Sequence, residues 1–441
     1  NARERIAALV DKDSFIESGL FGASGLYPEQ ADETLTDGKL AGFARIDSRD
    51  VAVVVNDFTV KGASTSATNG KKVGHMKRTA TERGMPLVVV GESTGARLPD
   101  AMGSRGMGLL LGNDNTQFRR TRETPLATAV VGPSFGSSAW LACLADFAVM
   151  QKGATMAVSS PRLIEMALGA KVDLEELGGW RMHAEITGLI DQVVDTEEEM
   201  FAALKRFLSY LPSHHREAPP DAPVPAGSGA DMQDVFSILP EKRTQVYDMK
   251  RVIKALVDKD SVFELKPRFG KSAVVALARL GGKSVGIVAN NPLHRGGALD
   301  ADACRKIVDF LVLCDSFNVP IVLLVDTPGF QIGTEAEKSG APGKIMNFMN
   351  AMTLVTVPKL SVILRKSYGR AYVCMGGGRH SDDIAAWPTA EISFMSPEFA
   401  TTIVHGVKPG DTDYPARLAE IEQGSDVWGL ASVFSAQAVI R

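Results

Sequence analysis

The first half of this sequence returns in its second half, and this duplication constrains the fold more than any other feature. Residues 8–15 (ALVDKDSF) return as 255–263 (ALVDKDSVF), and residues 86–95 (PLVVVGESTG) return as 320–329 (PIVLLVDTPG). Further matches follow in the same order, at spacings of 233 to 236 residues: 43–46 with 277–280, 61–63 with 295–297, Pro125 with Pro358, and 154–161 with 390–397. A colinear series of this kind predicts one structural unit used twice.

A segment rich in proline and glycine separates the two halves. Residues 218–229 read APPDAPVPAGSG. Such a composition cannot continue a helix or a central strand. We therefore predict a first domain over residues 1–210, a linker over 211–247 and a second domain over 248–441.

Short apolar runs alternate with stretches of helical spacing within each half. The runs 87–90, 127–131, 321–325 and 360–364 are apolar apart from Thr128 and Ser361 and do not alternate, which is typical of strands buried on both faces. Residues 302–317 carry apolar side chains at helical spacing. This alternation predicts an α/β fold with crossover connections, and it leaves the arrangement of the layers open.

Composition excludes several classes of function. The chain has 441 residues, 45% of them hydrophobic, and a net charge of −4, so nothing suggests nucleic acid or an acidic membrane surface as a partner. Its apolar runs are too short to span a bilayer. The four cysteines form no CxxC pair, so we expect neither a disulfide framework nor a zinc site. We expect a cytoplasmic protein without a metal.

Two equivalent turns are the strongest candidates for chemistry. In each half a buried strand ends in a turn of mostly small residues and a helix follows, at 130–140 and at 364–372. A turn that opens a helix leaves backbone N–H groups free, and these suit an anion or a carbonyl that becomes an enolate. The candidates are Gly136, Ser137, Gly369, Arg370 and Ala371. Simple packing of helix on sheet would produce the same pattern, so this alternative stays open.

Two further pairs of loops follow predicted strands. Lys61-Gly62-Ala63 matches Arg295-Gly296-Gly297, where glycine permits close approach of a ligand and the cation could hold phosphate or carboxylate. Solvated cations beside a turn are the alternative. The segments 92–97 and 326–330 begin with Glu92 and Asp326, which we interpret as capping a turn rather than as an acid or base.

The zinc-protease and phosphate-loop motifs are absent from the sequence. It contains no HExxH and no GxxxxGK[ST] phosphate loop, so the DTPG at 326–329 is not the GTPase motif. We interpret the lone His183 as structural. The sequence thus favours catalysis by backbone donors.

Several motifs together resemble the carboxyltransferase (β) subunits of biotin-dependent acyl-CoA carboxylases, a family that includes the propionyl-CoA carboxylase β subunit. They extend in order along nearly the whole chain: 2–6 (ARERI), 56–60 (NDFTV), 94–97 (TGAR), 176–179 (ELGG), 326–330 (DTPGF), 365–369 (RKSYG) and 387–391 (WPTAE). The resemblance implies two tandem domains of the crotonase (ClpP/crotonase) fold. It also implies transfer of a carboxyl group from carboxybiotin to the α-carbon of a short-chain acyl-CoA, such as propionyl-CoA, through an enolate.

The resemblance also assigns roles to the candidate residues. The amides of Gly136 and Ser137 would hold the thioester enolate, and those of Arg370 and Ala371 the ureido oxygen of biotin, with Gly369 forming the turn. The CoA contacts would be Lys61, Gly62, Ala63, Gly95, Ala96 and Arg97. The biotin contacts would be Arg295, Gly296, Gly297, Gly329 and Phe330.

Partners follow from the same resemblance. No AMKM biotinylation motif is present, so biotin would arrive on a separate biotin carboxylase or carrier subunit. The chain would form a homo-oligomer, a hexamer in the family, in which the first domain of one subunit faces the second domain of another. Members of the family typically extend further at both ends.

Two positions depart from the family pattern. Ser137 and Arg370 stand where the family usually has glycine. Two other functions are therefore open: a biotin-independent acyl-CoA decarboxylase, in which Arg370 binds the substrate carboxylate, and a non-catalytic paralogue within a carboxylase complex.

Overall fold

The chain divides into two units of nearly equal length, Asn1–Ala218 and Pro219–Arg441. The computed structural model describes residues 1–24, 28–111, 118–230, 232 and 235–440. The division falls inside the segment 211–247, for which we predicted a linker. Val235 and Tyr247, which belong to that segment, are buried in the core of the second unit.

The first unit contains a mixed sheet flanked by helices. Its helices in the described ranges are α1 (Ala2–Leu9), α2 (Ala67–Arg83), α3 (Leu98–Ala101), α4 (Gly103–Leu111), α5 (Ser137–Leu144), α6 (Pro161–Leu168), α7 (Leu174–Gly178) and α8 (Glu197–Ser209). Its strands there are β1 (Ile16–Ser18), β2 (Lys39–Ile46), β3 (Arg49–Asn56), β4 (Leu87–Ser93), β5 (Leu126–Phe135), β6 (Phe147–Gln151), β7 (Thr155–Ala157) and β8 (Gln192–Val194). Short segments of 3₁₀ or π helix cover Pro28–Gln30, Asp32–Gly38, Lys61–Ala63 and Met182–Ile186.

The second unit has the same kinds of elements in the same order. Its helices in the described part are α9 (Val235–Ile238), α10 (Met249–Leu256), α11 (Ala301–Ser316), α12 (Thr334–Lys338), α13 (Ala341–Leu354), α14 (Arg370–Cys374), α15 (Pro397–His405), α16 (Tyr414–Gln423) and α17 (Val427–Ser432). Its strands there are β9 (Phe263–Leu265), β10 (Ala273–Leu280), β11 (Lys283–Asn290), β12 (Ile321–Thr327), β13 (Lys359–Tyr368), β14 (Asp383–Ala386), β15 (Glu391–Ser393) and β16 (Ala438–Val439). A 3₁₀ turn covers Arg295–Gly297.

The two sheets share one topology. The strand order is β1-β2-β3-β4-β5-β6-β8 in the first unit and β9-β10-β11-β12-β13-β14-β16 in the second, with β7 on β5 and β15 on β13. In each sheet the first three strands pair antiparallel and the later strands pair parallel. The register between the two central parallel strands shifts at matching places, between Gly91 and Ser93 and between Val325 and Thr327. The predictions of a duplication and of an α/β fold are confirmed.

Buried apolar strands build each core. The predicted runs lie in β4, β5, β12 and β13, and the predicted helix is α11. The side chains of β3 from Val51 to Val55 are almost fully buried, because helices cover both faces of a parallel sheet. Among the described residues, no helix is both long and apolar enough to cross a membrane.

Candidate active site

The three predicted loops of the first unit lie at one edge of its sheet. Strands β3, β4 and β5 are parallel neighbours, and their carboxyl ends precede the loops 61–65, 94–97 and 136–137. Carboxyl ends of parallel strands meet at the same edge, where open α/β sheets bind their ligands. The topology therefore brings together candidates that are up to 76 residues apart, Lys61 and Ser137.

Hydrogen bonds join these loops directly. The amide of Thr94 donates to the carbonyl of Gly62 at 3.0 Å, and the amide of Thr65 donates to the carbonyl of Gly95 at 2.8 Å. The hydroxyl oxygens of Thr65 and Ser137 lie 2.6 Å apart. The Ser137 side chain is thus in contact with Thr65 of the 61–65 loop.

The second unit repeats this arrangement. The amide of Leu299 donates to the carbonyl of Gly329 at 3.0 Å, and the amide of Gln331 donates to the carbonyl of Leu299 at 2.8 Å. The isolated bridges Thr65–Ala96 and Leu299–Phe330 occupy equivalent positions. The predicted residues Gly329 and Phe330 therefore lie beside the 295–297 turn, as Gly95 and Ala96 lie beside the 61–63 turn.

Gly136 has a backbone conformation that only glycine adopts without strain. Its φ and ψ are +65° and −122°, and it immediately precedes α5. Trp140 makes the first hydrogen bond of that helix, donating to the carbonyl of Gly136 at 3.0 Å. The amides of Ser137 to Ala139 therefore have no acceptor within the helix. The turn presents donors at the edge of the sheet, as the sequence predicted.

Gly369 forms the matching turn in the second unit, with φ and ψ of +59° and −143°. Tyr372 donates its amide to the carbonyl of Gly369 at 3.2 Å, which leaves the amides of Arg370 and Ala371 without an acceptor in the helix. A Cβ atom at position 369 would lie 3.1 Å from the carbonyl oxygen of Phe394. The Arg370 side chain is exposed, whereas Ala371 is buried.

The 61–63 and 295–297 turns share an unusual backbone. Lys61, Gly62 and Ala63 have φ values of +48°, +62° and +48°, and the equivalent residues from Arg295 to Gly297 have +53°, +63° and +87°. Residues other than glycine hold such values only where the surroundings impose them, and these positions often mark functional sites. Both predicted cations carry a partner at the surface: Lys61 pairs with Glu33, and Arg295 lies 3.3 Å from Asp300.

The Arg97 side chain is buried within the first unit, whereas a residue that contacts a ligand needs an accessible side chain. Its guanidinium is buried and lies 2.6 Å from the carboxylate of Asp37. It also donates to the Ser64 hydroxyl at 3.2 Å. The geometry therefore gives Arg97 a role in holding the 61–65 loop, while its contact with CoA remains a prediction.

Glu92 and Asp326 do not cap a turn, so that interpretation was wrong. Asp326 is fully buried and accepts from the Arg365 guanidinium, the Lys366 ammonium and the Tyr247 hydroxyl, each at 2.8 Å. Burial is the largest influence on Lys366 and Tyr247: it lowers the pKa of the lysine and raises the pKa of the tyrosine, which Asp326 raises further. Glu92 pairs with Arg5 at 2.7 Å. These ion pairs could not be predicted from the residue pattern of the strands, because the partners come from segments that are distant in the sequence.

A cavity of about 310 Å³ opens beside the 295–297 turn of the second unit. Gly296, Pro328 and Tyr368 line it, together with the cations Arg243 and Lys366. Arg243 is held by Glu391, Glu398 and Glu422, and Lys366 by Asp326. The cations of the cavity wall therefore already have carboxylate partners, and the rings of Pro328 and Tyr368 line the rest of it.

Asp37 and Lys39 belong to a buried group in the first unit that was not predicted from the sequence. Burial lowers the pKa of Lys39 to about 7; Asp37 raises it and Arg97 lowers it. The only local signal was a charged residue opening a strand that is otherwise apolar. His183, in contrast, is structural as expected, since its ring nitrogens lie 2.6 Å from the carbonyl oxygen of Met156 and 3.0 Å from the Thr187 hydroxyl.

Comparison with known proteins identifies this architecture. The family described as carboxyl transferase domain matches residues 1–414. The "uncharacterized carboxylase YngE" of Bacillus subtilis is 35% identical over 453 aligned positions, which cover 99% of this chain and 86% of that protein. The methylmalonyl-CoA decarboxylase subunit alpha of Veillonella parvula is 34% identical, over 95% of this chain and 82% of its own length. The putative propionyl-CoA carboxylase beta chain of Bacillus subtilis is also 34% identical, over 92% of this chain and 79% of its own length.

A solved structure gives the same answer. Transcarboxylase 12S, described as a hexamer with methylmalonyl-coenzyme A bound, superimposes with a TM-score of 0.92 and 31% identity, over 100% of this chain and 86% of that one. This match confirms the predicted tandem crotonase-like fold. With the family match over most of its length, the chain belongs to the carboxyl transferase family and is an acyl-CoA carboxyltransferase of the biotin-dependent carboxylase type.

Proposed function

We propose that this chain moves a carboxyl group between biotin and the α-carbon of a short-chain acyl-CoA, and that backbone amides of its two glycine turns hold the oxygens on which charge develops. The observation that carries this proposal is the matched pair of conformations at Gly136 and Gly369, each opening a helix at the carboxyl edge of its sheet. If the two turns served only to pack a helix on a sheet, any small residue would be sufficient at positions 136 and 369. Packing does not require that both positions adopt a backbone conformation that favours glycine.

The first turn would act on the acyl thioester. Removal of the α-proton, or loss of an α-carboxyl group, puts negative charge on the thioester oxygen. Amides directed at that oxygen stabilise the enolate more than the neutral thioester, and each such donor is typically worth about 10²–10³ in rate. The amides at Gly136 and Ser137 are the proposed donors. The loops 61–63 and 95–97 lie against this turn and would hold the CoA.

The second turn would receive the ureido oxygen of biotin. Gly369 has no Cβ, and an added Cβ would lie close to the carbonyl oxygen of Phe394. The amides of Arg370 and Ala371 follow this glycine at the start of α14. Two adjacent amide donors of this kind suit a carbonyl-type oxygen. Biotin, when bound, supplies or accepts the carboxyl group. Because the Arg370 side chain is exposed, it does not occupy the turn within its own unit. The remaining biotin contacts would come from 295–297, Gly329 and Phe330, and biotin would arrive on a separate carrier subunit.

Propionyl-CoA and methylmalonyl-CoA are the substrates we propose to test first. The names of two relatives refer to propionyl-CoA carboxylase and methylmalonyl-CoA decarboxylase, and the solved neighbour holds methylmalonyl-CoA.

We also propose that copies of the chain associate through the outer faces of α6 and α15. None of the residues of α6 is buried, and Met166 and Leu168 are both 74% exposed. The equivalent helix α15 exposes Phe399 and Ile403. Exposed apolar side chains that cluster on one helix are typical of contact sites. Pairing of α6 of one copy with α15 of another would bring a first-unit turn to a second-unit turn. A hexamer, as described for transcarboxylase 12S, is the proposed assembly.

A carboxyl-exchange assay tests the reaction. The purified protein is incubated with methylmalonyl-CoA, with and without biocytin, and the loss of the carboxylated thioester is followed by chromatography. We expect loss that depends on biocytin and that disappears in the Gly369→Ala variant. Loss without biocytin would replace the proposal by a biotin-independent decarboxylase, and no loss with any short-chain acyl-CoA would refute it.

Sedimentation tests the assembly. Met166→Glu should convert the oligomer to smaller species, because it places a charge in an apolar contact, and it should abolish exchange without lowering the unfolding temperature of the separated chain. Lys338→Glu, a change at an exposed site on α12, is the matched control and should leave the mass unchanged.

A further inference from the structure

A group of buried charged side chains lies beneath the 61–65 loop of the first unit. It includes Asp37, Lys39 and Arg97, with exposed fractions of 0%, 6% and 6%, and Asp100 lies 3.9 Å from the Arg97 guanidinium at its margin. Burial of charge is costly unless the charges are paired and hydrogen-bonded. The contacts of this group show what the charges hold in place.

Lys39 holds one carbonyl of the loop from inside. It is the first residue of β2, and its ammonium donates to the carbonyl oxygen of Ala63 at 3.1 Å. The Ser93 hydroxyl donates to the same oxygen at 3.0 Å. Ala63 has the left-handed φ of +48°, so these two donors hold its carbonyl inward in a conformation that alanine alone would disfavour.

Arg97 and Asp37 hold the neighbouring residue. The Arg97 guanidinium donates to the Ser64 hydroxyl at 3.2 Å and to the Ser64 carbonyl at 3.3 Å, and Asp37 fixes the guanidinium at 2.6 Å. The peptide planes on both sides of Ser64 are therefore set by buried charges. This arrangement leaves little freedom to the residues that follow.

The loop passes this restraint to the amide-bearing turn. Gly95 donates its amide to the Ser93 hydroxyl at 3.2 Å, and it accepts from the Thr65 amide at 2.8 Å. Thr65 in turn contacts the Ser137 hydroxyl at 2.6 Å. A continuous set of hydrogen bonds thus joins the Lys39 ammonium to the first residue of α5.

The second unit lacks this group, although its loops are otherwise equivalent. The positions that match Asp37, Lys39 and Arg97 hold Lys271, Ala273 and Gln331. There the carbonyl of Gly297, the counterpart of Ala63, receives the Thr327 hydroxyl at 2.9 Å. This particular group of buried charges is therefore present in only one half of the duplicated protein.

We propose that Lys39 is a positioning residue for the acyl-thioester half of the reaction: its ammonium fixes the 61–65 loop and, through Thr65, the turn at Gly136 and Ser137. The assignment of that turn to the thioester rests on the proposed function. The mechanical link from Lys39 to the turn does not depend on it.

Hydrogen exchange in the oligomeric protein tests the link without any need for turnover. Lys39→Met keeps an unbranched apolar side chain, one atom shorter than lysine, and removes the ammonium donors. We expect amide exchange to become about tenfold faster in peptides spanning 57–66 and 134–140. The equivalent second-unit peptides, 291–300 and 367–373, are the internal control and should be unchanged. Unchanged exchange in the first-unit peptides of a folded variant would overturn the proposal.

A second buried lysine supplies the matched control. Lys306 in α11 is 1% exposed and donates to the carbonyls of Phe269 and Ala273 at 2.9 and 2.7 Å. Lys306→Met removes an equally buried ammonium in the second unit. It should lower stability but leave exchange over 57–66 and 134–140 unaltered. Faster exchange there in this variant would show a general loosening and would refute a specific role for Lys39.

Kinetics separate positioning from simple stability. Lys39→Met should lower kcat about tenfold and leave KM for the acyl-CoA within threefold, because a displaced amide costs the transition state more than the bound thioester. A rise in KM alone would overturn the proposal. If Lys39→Met does not fold, Ser93→Ala removes the other donor to Ala63 without changing a buried charge, and it should show the same pattern at smaller size. A wild-type protein with no exchange activity would refute the proposed function, while the hydrogen-exchange result would still decide the role of Lys39.

Discussion

Replacement of Gly136 by alanine tests the oxyanion assignment most directly. At φ +65° and ψ −122° a residue with a Cβ atom is strained, and such strain costs of order 1–3 kcal/mol. Space is not the limit, since the nearest atom to an added Cβ is the Cα of Gly95 at 3.8 Å. The variant should therefore fold, with the turn relaxed away from its native conformation.

Relaxation of the turn redirects the amide of Ser137. Loss of one donor of this kind costs about 10²–10³ in kcat, or about 2.7–4 kcal/mol of transition-state stabilisation. We expect kcat for carboxyl exchange to fall by at least 10²-fold, with KM for the acyl-CoA changed by less than threefold. The unfolding temperature should fall by roughly 2–4 °C for each kcal/mol of strain.

Gly281→Ala is the matched control for backbone strain. Gly281 has a φ of +57°, no atom within 4 Å of an added Cβ, and a place in the hairpin between β10 and β11, at the opposite end of the strand from the site loop. It should lose comparable stability and keep full turnover. Equal turnover of Gly136→Ala and wild type, measured on folded protein, would refute the reasoning. A rise in KM with kcat unchanged would show instead that the turn binds ground state and transition state alike.

Three further changes have defined outcomes. Asp326→Asn leaves two buried cations without their carboxylate and should destabilise the protein by about 3–5 kcal/mol in chemical denaturation, whereas Asp221→Asn removes an exposed ion pair and should cost less than about 1 kcal/mol. Burial lowers the pKa of Lys306 to about 7, as it does for Lys39, so the unfolded chain binds more protons than the folded chain above that pH. Wild-type stability should therefore rise between pH 7 and about 10, and Lys306→Met should reduce that rise while the contribution of Lys39 persists. Arg370→Ala should change kcat by less than threefold if only backbone amides act at the second turn, and a loss above tenfold would assign a function to the guanidinium.

The position of the two glycine turns was predictable in outline because the pattern that marks them is local. A buried strand, a small-residue turn and a helix follow one another along the chain, so Gly136 and Gly369 could be located from order alone. The resemblance to a known family then assigned them a chemistry. The interpretation of Asp326 as a turn cap failed, since its partners Tyr247 and Arg365 are 79 and 39 residues away and no pattern links them.

The sequence by itself determined the duplication, the α/β class and the position of the paired loops, because colinear repeats and apolar runs are written in consecutive residues. Only the tertiary structure decided how the halves differ. The two units share a strand order and a loop geometry, yet one encloses Asp37, Lys39 and Arg97 where the other has Lys271, Ala273 and Gln331. A charged residue in a sequence gives no sign of burial until the fold supplies its partners, and here those partners come from three separate loops at one edge of a sheet.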